Sequence, residues 1–260
     1  MKLTNDTVLV PVTLQLHNGD ITYKTKDGDA SGVVNILGRV SNINHHVVRT
    51  FEDTVKVETP SDLLDRTKAN SSVYWTALDL APGRYKLEIA IKDVNNPDHV
   101  GTWKRSVDVP KFDDDRLGHS SLILAGSMER VPSKEIGAGH FVIGNTKLVP
   151  RVPTTITTPV VFHRGQNLNF WMQVYNLGIG DNKKNDATIE YQVLNLATNK
   201  QILASQESAA KLNPNADQLT LEKSMPLSSL EPGRYQVLIK VNDGVSKQQI
   251  AESAPFIVEQ

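Results

Sequence analysis

One phrase occurs twice in this chain, and its spacing constrains the fold more than any other feature. Leu80-Ala81-Pro82-Gly83-Arg84-Tyr85-Lys86-Leu87-Glu88-Ile89-Ala90-Ile91-Lys92-Asp93 returns 150 residues later as Leu230-Glu231-Pro232-Gly233-Arg234-Tyr235-Gln236-Val237-Leu238-Ile239-Lys240-Val241-Asn242-Asp243. Each copy opens on a Pro-Gly turn and continues as an alternating run, the pattern of a half-buried strand. The alternation assigns Leu87, Ile89, Ile91, Val237, Ile239 and Val241 to a core. It turns Lys86, Glu88, Gln236 and Lys240 toward water. A strand duplicated at constant offset predicts two related domains in tandem.

The Leu-x-Pro-Gly-x-Tyr lead-in also resembles the tyrosine corner of immunoglobulin-like sandwiches, where a Tyr hydroxyl ties its strand to the preceding loop. Tyr85 and Tyr235 are then equivalent residues at the start of equivalent strands. The first half reads as seven extended runs: Val8–Leu16, Ile21–Lys24, Val33–Val40, Val47–Glu58, Ser72–Leu78, Arg84–Lys92 and Thr102–Val109. Turn residues separate them, among them Asn18-Gly19-Asp20, Asp27-Gly28-Asp29 and Asn95-Asn96-Pro97-Asp98. Ser61–Thr67 reads as one helical turn with Ser61 as its N-cap. The predicted fold is all-β: two tandem immunoglobulin- or fibronectin-III-like β-sandwich domains, residues 1–111 and 112–260, joined at Val109–Arg116.

In the second domain Ser120–Ala125 begins the fold and Gly126–His140 reads as a long polar loop. Phe141–Val149 reads as a hairpin around Gly144-Asn145. Strands are expected at Leu168–Tyr175, Ile189–Leu196, Gln201–Gln206, Leu219–Leu227, Arg234–Val241 and Ile250–Val258. In the first of these, Leu168, Phe170, Met172 and Val174 point inward. Asn169, Trp171, Gln173 and Tyr175 share the other face. Trp171 and Tyr175 are then either covered by a loop or by the first domain, or form an exposed aromatic patch for binding.

Composition closes several routes to function. A formal net charge of −1 gives no basic footprint for nucleic acid or for docking on anionic lipid. No apolar run is long enough for a transmembrane helix. The absence of cysteine removes disulfides, zinc thiolate sites and thiol nucleophiles. Met1–Asp6 lacks the apolar core of a signal peptide. No Gly-x-Ser-x-Gly elbow, His-Glu-x-x-His motif, P-loop or dinucleotide glycine pattern occurs. Seven histidines are scattered, and only His45-His46 are adjacent, in a region that reads as a turn. Asp27-Gly28-Asp29 and Asp113-Asp114-Asp115 offer clustered oxygens of the kind calcium takes, but both also read as solvated turns. Asp93 and Asp243, at equivalent ends of the repeated strand, read as Asx-type turns. No catalytic, metal or cofactor-binding residues are assigned, and no cofactor is expected.

Three stretches together resemble the region C-terminal to the naming domain of bacterial GWxTD-domain proteins, also found in related proteins with a von Willebrand A-type region. They are Phe112–Ala125, Phe141–Arg151 and Phe170–Leu177, and the two Leu-x-Pro-Gly-x-Tyr strands continue the match. The resemblance covers most of the chain and is most specific in its centre. The naming motif itself is absent: Trp75, Trp103 and Trp171 follow Tyr74, Thr102 and Phe170, never Gly. The resemblance implies a bacterial source and an extracytoplasmic place, in the cell envelope or secreted, and brings no active site.

The expected function is a non-enzymatic structural or interaction module with a protein partner, including itself as oligomer or filament. Val8, Val10, Val12, Leu14 and Leu16 form a β-prone run that either pairs with a neighbour's sheet edge or is simply the first strand of domain one. Pro11 suits an edge strand in both cases. The alternative is a carbohydrate- or peptide-binding module using Trp171 and Tyr175 or the groove between domains, which an aromatic content of 6% weakens.

Overall fold

The structure is a computed structural model and describes residues 1–136, 139–155 and 157–260. In chain order the strands of the first half are β1 (Lys2–Thr4), β2 (Thr7–His17), β3 (Tyr23–Lys26), β4 (Asp29–Asn42), β5 (Val47–Pro60), β6 (Ser71–Leu80), β7 (Gly83–Asp93) and β8 (Val100–Val109). The second half continues with β9 (Gly118–His119), β10 (Ile123–Arg130), β11 (Val142–Ile143), β12 (Thr146–Pro150), β13 (Val160–His163) and β14 (Asn167–Tyr175). It ends with β15 (Ala187–Asn195), β16 (Lys200–Ser208), β17 (Leu219–Pro226), β18 (Gly233–Asp243) and β19 (Gln249–Glu259). Two short helices, α1 (Leu64–Lys68) and α2 (Ala209–Leu212), and a few 3-10 turns are the helical content of the described residues. The chain is all-β, as expected. It divides into two compact units, Asp6–Lys111 and Phe112–Gln260, and Met1–Asn5 belongs to the second.

In the first unit β4 and β7 lie at the centre of one sheet, with β5 and β8 on its two edges and β3 beside β4. The facing layer has the strand order β1-β2-β6, with β2 and β6 in register from Val8 opposite Leu80 to His17 opposite Ser71. Val34, Ile36, Val40, Leu87 and Ile89 of the larger sheet are buried, as are Val8, Val12, Tyr74 and Leu78 of the smaller one. Phe51 of β5 stacks on Tyr74 of β6, ring centres 6.4 Å apart. Phe51 can lie there because its register partner is Gly38; a Cβ at that position would come within 2.1 Å of the ring. Ile91, assigned to the core by alternation, is only half-buried. It pairs with Gly101 of β8, which brings no side chain to cover it. The helical turn after β5 forms, but Ser61 is not its N-cap. The chain enters the turn from Pro60, and Ser61 uses its backbone N–H on the Gly28 carbonyl instead.

The second unit repeats this plan and enlarges it. The sheet β13-β19-β18-β15-β16 faces a sheet of order β11-β12-β10-β14-β17. Their inner faces make one continuous core that includes Phe162, Leu168, Phe170, Met172, Ile189, Leu221, Ile239 and Phe256. Val237, Ile239 and Val241 are all buried in it. The hairpin around Gly144-Asn145 forms as β11 and β12, with Gly144 in the left-handed region at φ 60°. Gly126–His140 is less of a loop than expected. Its first five residues extend β10 to Arg130, because β12 supplies them a partner. Residues 137 and 138 of that stretch lie outside the described residues.

The repeated phrase lands on β7, which lies between β4 and β8, and on β18, which lies between β15 and β19. The hydroxyl of Tyr85 donates to the Ala81 carbonyl at 2.9 Å, and that of Tyr235 donates to the Glu231 carbonyl at 2.7 Å. Both bonds reach four residues back, so the two tyrosines are equivalent. Only Tyr235 is buried. Tyr235→Phe is expected to cost about 1 kcal/mol and Tyr85→Phe less, because water can replace the lost donor only at the open site. Equal losses in urea titrations of the two variants would contradict that difference.

Candidate interaction surface

Val8, Val10, Val12, Leu14 and Leu16 all lie in β2, on the face turned toward the larger sheet of the first unit. Val8 and Val12 are buried, whereas Val10, Leu14 and Leu16 are only half-buried. The equivalent strand of the second unit, β14, tells why. Its inward residues Leu168, Phe170, Met172 and Val174 are exposed by 0, 3, 1 and 0%. On its outer edge β14 is flanked by β10, with Leu124 opposite Phe170, and by β9, with His119 opposite Val174. Between them Ser120 donates its N–H to the Gln173 carbonyl and accepts the Gln173 N–H on its hydroxyl. Segment 118–125 therefore continues the sheet past β14 and roofs its inner face. In the first unit no strand or backbone hydrogen bond occupies the outer edge of β2 past Val10, among the described residues.

Pro11 decides which backbone groups this edge offers. The β2–β6 register runs without a shift from Val8 to His17, so the nitrogen of Pro11, which cannot donate, must lie on the side away from β6. By the period of two, Thr13, Gln15 and His17 turn their N–H and C=O groups to the same open side. Alternation picks out the apolar even positions of this strand but not Thr13 and Gln15. The available signal was Pro11 together with the absence of Asp, Glu, Lys and Arg from all of Thr7–His17. Natural edge strands are usually guarded by charge. The outer strand β5 carries Arg49, Glu52, Asp53, Lys56 and Glu58, and β8 carries Lys104, Arg105 and Asp108. The end strand β6 carries Asp79 alone, but its counterpart β17 also ends its sheet, so nothing is missing there.

Trp171 and Tyr175 do share the outer face of β14, but they form no exposed patch: each is 1% exposed. Two different covers account for this. A bulge between Ala125 and Ser127 bends β10 away from β14. The outer part of β10 and its partner β12 then cross the sheet face. Thr146 of β12 hydrogen-bonds Glu222, and Arg130 of β10 approaches the same carboxylate at 3.7 Å. Glu222 is the register partner of Trp171, so the crossing lies over the indole. Tyr175 is covered by Phe112, ring edge to ring face at 5.1 Å, and by the start of the chain. Lys2 donates its N–H to the Tyr175 hydroxyl at 3.0 Å, and that hydroxyl donates to Gln173 at 2.8 Å. Burial pushes the Tyr175 hydroxyl up to about 12. These residues are a second small core: of the two readings the alternation left open, the covered face is the one present, and there is no exposed aromatic patch at Trp171 and Tyr175.

Of the acidic groups weighed for calcium, Asp113 and Asp114 have partners within the protein, Asp113 facing Arg116 at 4.0 Å. Asp114 pairs with Lys2 at 2.9 Å and accepts from Asn5 at 2.6 Å, and the hydrogen bond from Lys2 holds its carboxyl below the usual range. Gly28 at φ 90° makes the Asp27–Asp29 stretch the turn between β3 and β4. Among the described residues no group of three or more His, Asp or Glu side chains is placed to hold a metal ion. A shallow cavity of about 580 Å³ lies on the first unit's larger sheet, lined by Leu37, Arg39, Glu88, Ala90 and Trp103 among others. Two of its charges, Arg39 and Glu88, pair with each other. Lys86 and Arg39 both hold Glu88, whose carboxyl falls to about 2 through those two hydrogen bonds.

No protein-family model matches the chain, and no curated protein does. Among solved structures it is similar to red sea bream transglutaminase, at 9% identity over 98% of this chain and 29% of that one, TM-score 0.29. It is also similar to a family 123 glycoside hydrolase from Clostridium perfringens, at 14% identity over 55% of this chain and 27% of that one, TM-score 0.27. A third is the β-glucuronidase of Parabacteroides merdae, at 10% identity over 98% of this chain and 28% of that one, TM-score 0.32. The chain spans less than a third of the length of each.

Proposed function

We propose that this chain is a non-enzymatic interaction module, a tandem of immunoglobulin- or fibronectin-III-like sandwiches that binds protein by strand addition at the open edge of β2. One observation carries the reading: beyond the three-residue β1 at its start, the edge is uncharged and, among the described residues, unoccupied past Val10, while the same edge in the second unit is filled by segment 118–125. Strand addition supplies main-chain hydrogen bonds for affinity and lets alternate side chains fill the space over Leu14 and Leu16. The placing of the module in an exported bacterial protein rests on the resemblance to the GWxTD-associated region.

The test offers the missing strand in trans. Labelled, uncharged strand peptides are titrated into the whole chain, with the Gly118–Ala125 sequence among them, and read by fluorescence anisotropy. Saturable binding is expected, and it should be lost in Thr13→Pro and Gln15→Pro. Those substitutions remove only outward N–H groups and leave the β2–β6 ladder intact. Binding that is absent for every peptide, or unchanged by both prolines, would overturn the reading.

A further inference from the structure

We propose that the occupant of this edge is a second copy of the chain, its β2 paired antiparallel with β2 about a two-fold axis at Gln15. The inference rests on the strand-addition reading and names its partner.

A two-fold pairing brings a strand against itself, and any charge it carries is tolerated only in a register that sets an opposite charge across from it. β5 carries five charges and β8 three, the usual guard of an edge, whereas β2 carries no Asp, Glu, Lys or Arg and meets no such condition. Its apolar residues are also those that need cover. Val10, Leu14 and Leu16 are only half-buried, and the strand next to β2 in its sheet, β1, is only the three residues Lys2–Thr4. A second β2 extends both sheets at once, and each copy roofs the other. This makes a closed, isologous contact of the commonest kind among homo-oligomers.

Pro11 selects the register. The outward backbone groups belong to the odd-numbered residues, so hydrogen-bonded pairs across the axis must match odd with odd. An axis at Thr13 sets Pro11 opposite Gln15, and an axis at Leu14 sets it opposite His17. Each places the missing donor inside the ladder. An axis at Gln15 sets Pro11 opposite Gly19, beyond the strand's end at His17. The pairs are then Gln15 with Gln15 and Thr13 with His17 on the hydrogen-bonded rungs. Leu14 meets Leu16 on the rung between, where cross-strand side chains approach most closely. Those two leucines bring apolar contact to the place where cover is lacking.

The whole chain is examined by sedimentation equilibrium over a concentration series. A monomer–dimer equilibrium is expected, its dissociation constant raised about tenfold or more by Thr13→Pro and by Gln15→Pro, each of which removes one donor per copy. Circular dichroism shows whether the variants keep their fold. Gln15→Cys checks the axis without touching the backbone. The chain has no native cysteine, and opposed residues of a hydrogen-bonded rung lie about 5.5 Å apart at Cα, within disulfide reach. Mild oxidation should give a linked dimer of Gln15→Cys and none of Thr54→Cys on β5. A monomer at every concentration overturns the second copy as partner. The strand-addition reading then stands or falls by the peptide titration. A dimer that ignores both prolines and fails to link through position 15 assembles elsewhere, and overturns the inference and its edge together.

Discussion

Trp171→Ala is expected to lower the stability of the Phe112–Gln260 unit by about 3–5 kcal/mol, the range for truncating a large buried aromatic. The indole is 1% exposed, and its Nε1 makes no hydrogen bond among the described residues. The cost is therefore one of packing and of the cavity left under the β10–β12 crossing. The bulge at Ala125/Ser127 and the contacts of Thr146 and Arg130 with Glu222 fix that crossing, so the space cannot close easily. Calorimetry of the whole chain should show one transition shifted down strongly and the other, from the Asp6–Lys111 unit, little changed. Strand addition should be unaffected, because the edge belongs to the other unit. A loss under about 1 kcal/mol would show that nothing packs over Trp171 and would restore the exposed aromatic face.

Asp243→Ala is the second large effect, expected at about 3–5 kcal/mol. The carboxylate is 3% exposed. It accepts the N–H of Gly178 at 2.7 Å, of Val245 at 3.0 Å and of Ser246 at 3.4 Å, and the Ser246 hydroxyl at 2.7 Å. It thereby pins the loop after β14 to the end of β18. Removing it leaves several partly buried hydrogen bonds without their acceptor at once. Asp93 does the same at the end of β7, taking Thr22 N–H at 2.7 Å and Asn95 N–H at 2.8 Å, so Asp93→Ala should behave alike in the first unit. Both are the Asx-type turns expected at this place in the repeat. Burial alone would raise the Asp243 carboxyl, but the Ser246 hydroxyl and the three N–H donors outweigh it and hold it below its ordinary value. A carboxyl lowered on folding stabilises above its unfolded value, near 4, and that contribution fades as pH falls through the lower folded value. Stability measured against pH should therefore drop in acid for the native chain. The slope should be shallower in Asp243→Asn, and equal slopes would contradict the role given to the charge.

Much of the fold was legible because strand alternation and turn chemistry act over a few residues. The repeated Pro-Gly-Arg-Tyr phrase marked two equivalent strands and their tyrosine corners. All seven runs of the first half are strands, with ends moved by up to four residues. What failed in the reading was non-local. Val160–His163 was not recognised as a strand, because its partner in the parallel pair is Phe256–Glu259, at the far end of the chain. Four residues carry little pattern of their own. The long loop from Gly126 proved partly strand for the same reason: its ladder is made with β12.

Trp171 and the β2 edge mark the boundary between the two kinds of information. Alternation in Leu168–Tyr175 determined which side chains share a face, since successive Cβ atoms point to opposite sides of any strand. It could not say whether that face meets water, because an exposed and a covered face share one period. Only the bulge in β10 and the path of Phe112 and Lys2 decided that. In β2 the alternation, the absence of charge and Pro11 are enough to mark an apolar strand suited to an edge. That segment 118–125 closes β14, while nothing closes β2 past Val10 among the described residues, is a matter of which distant segments become neighbours. Backbone hydrogen bonds between strands are nearly blind to side-chain identity, so strand neighbours are chosen by the packing of the whole unit.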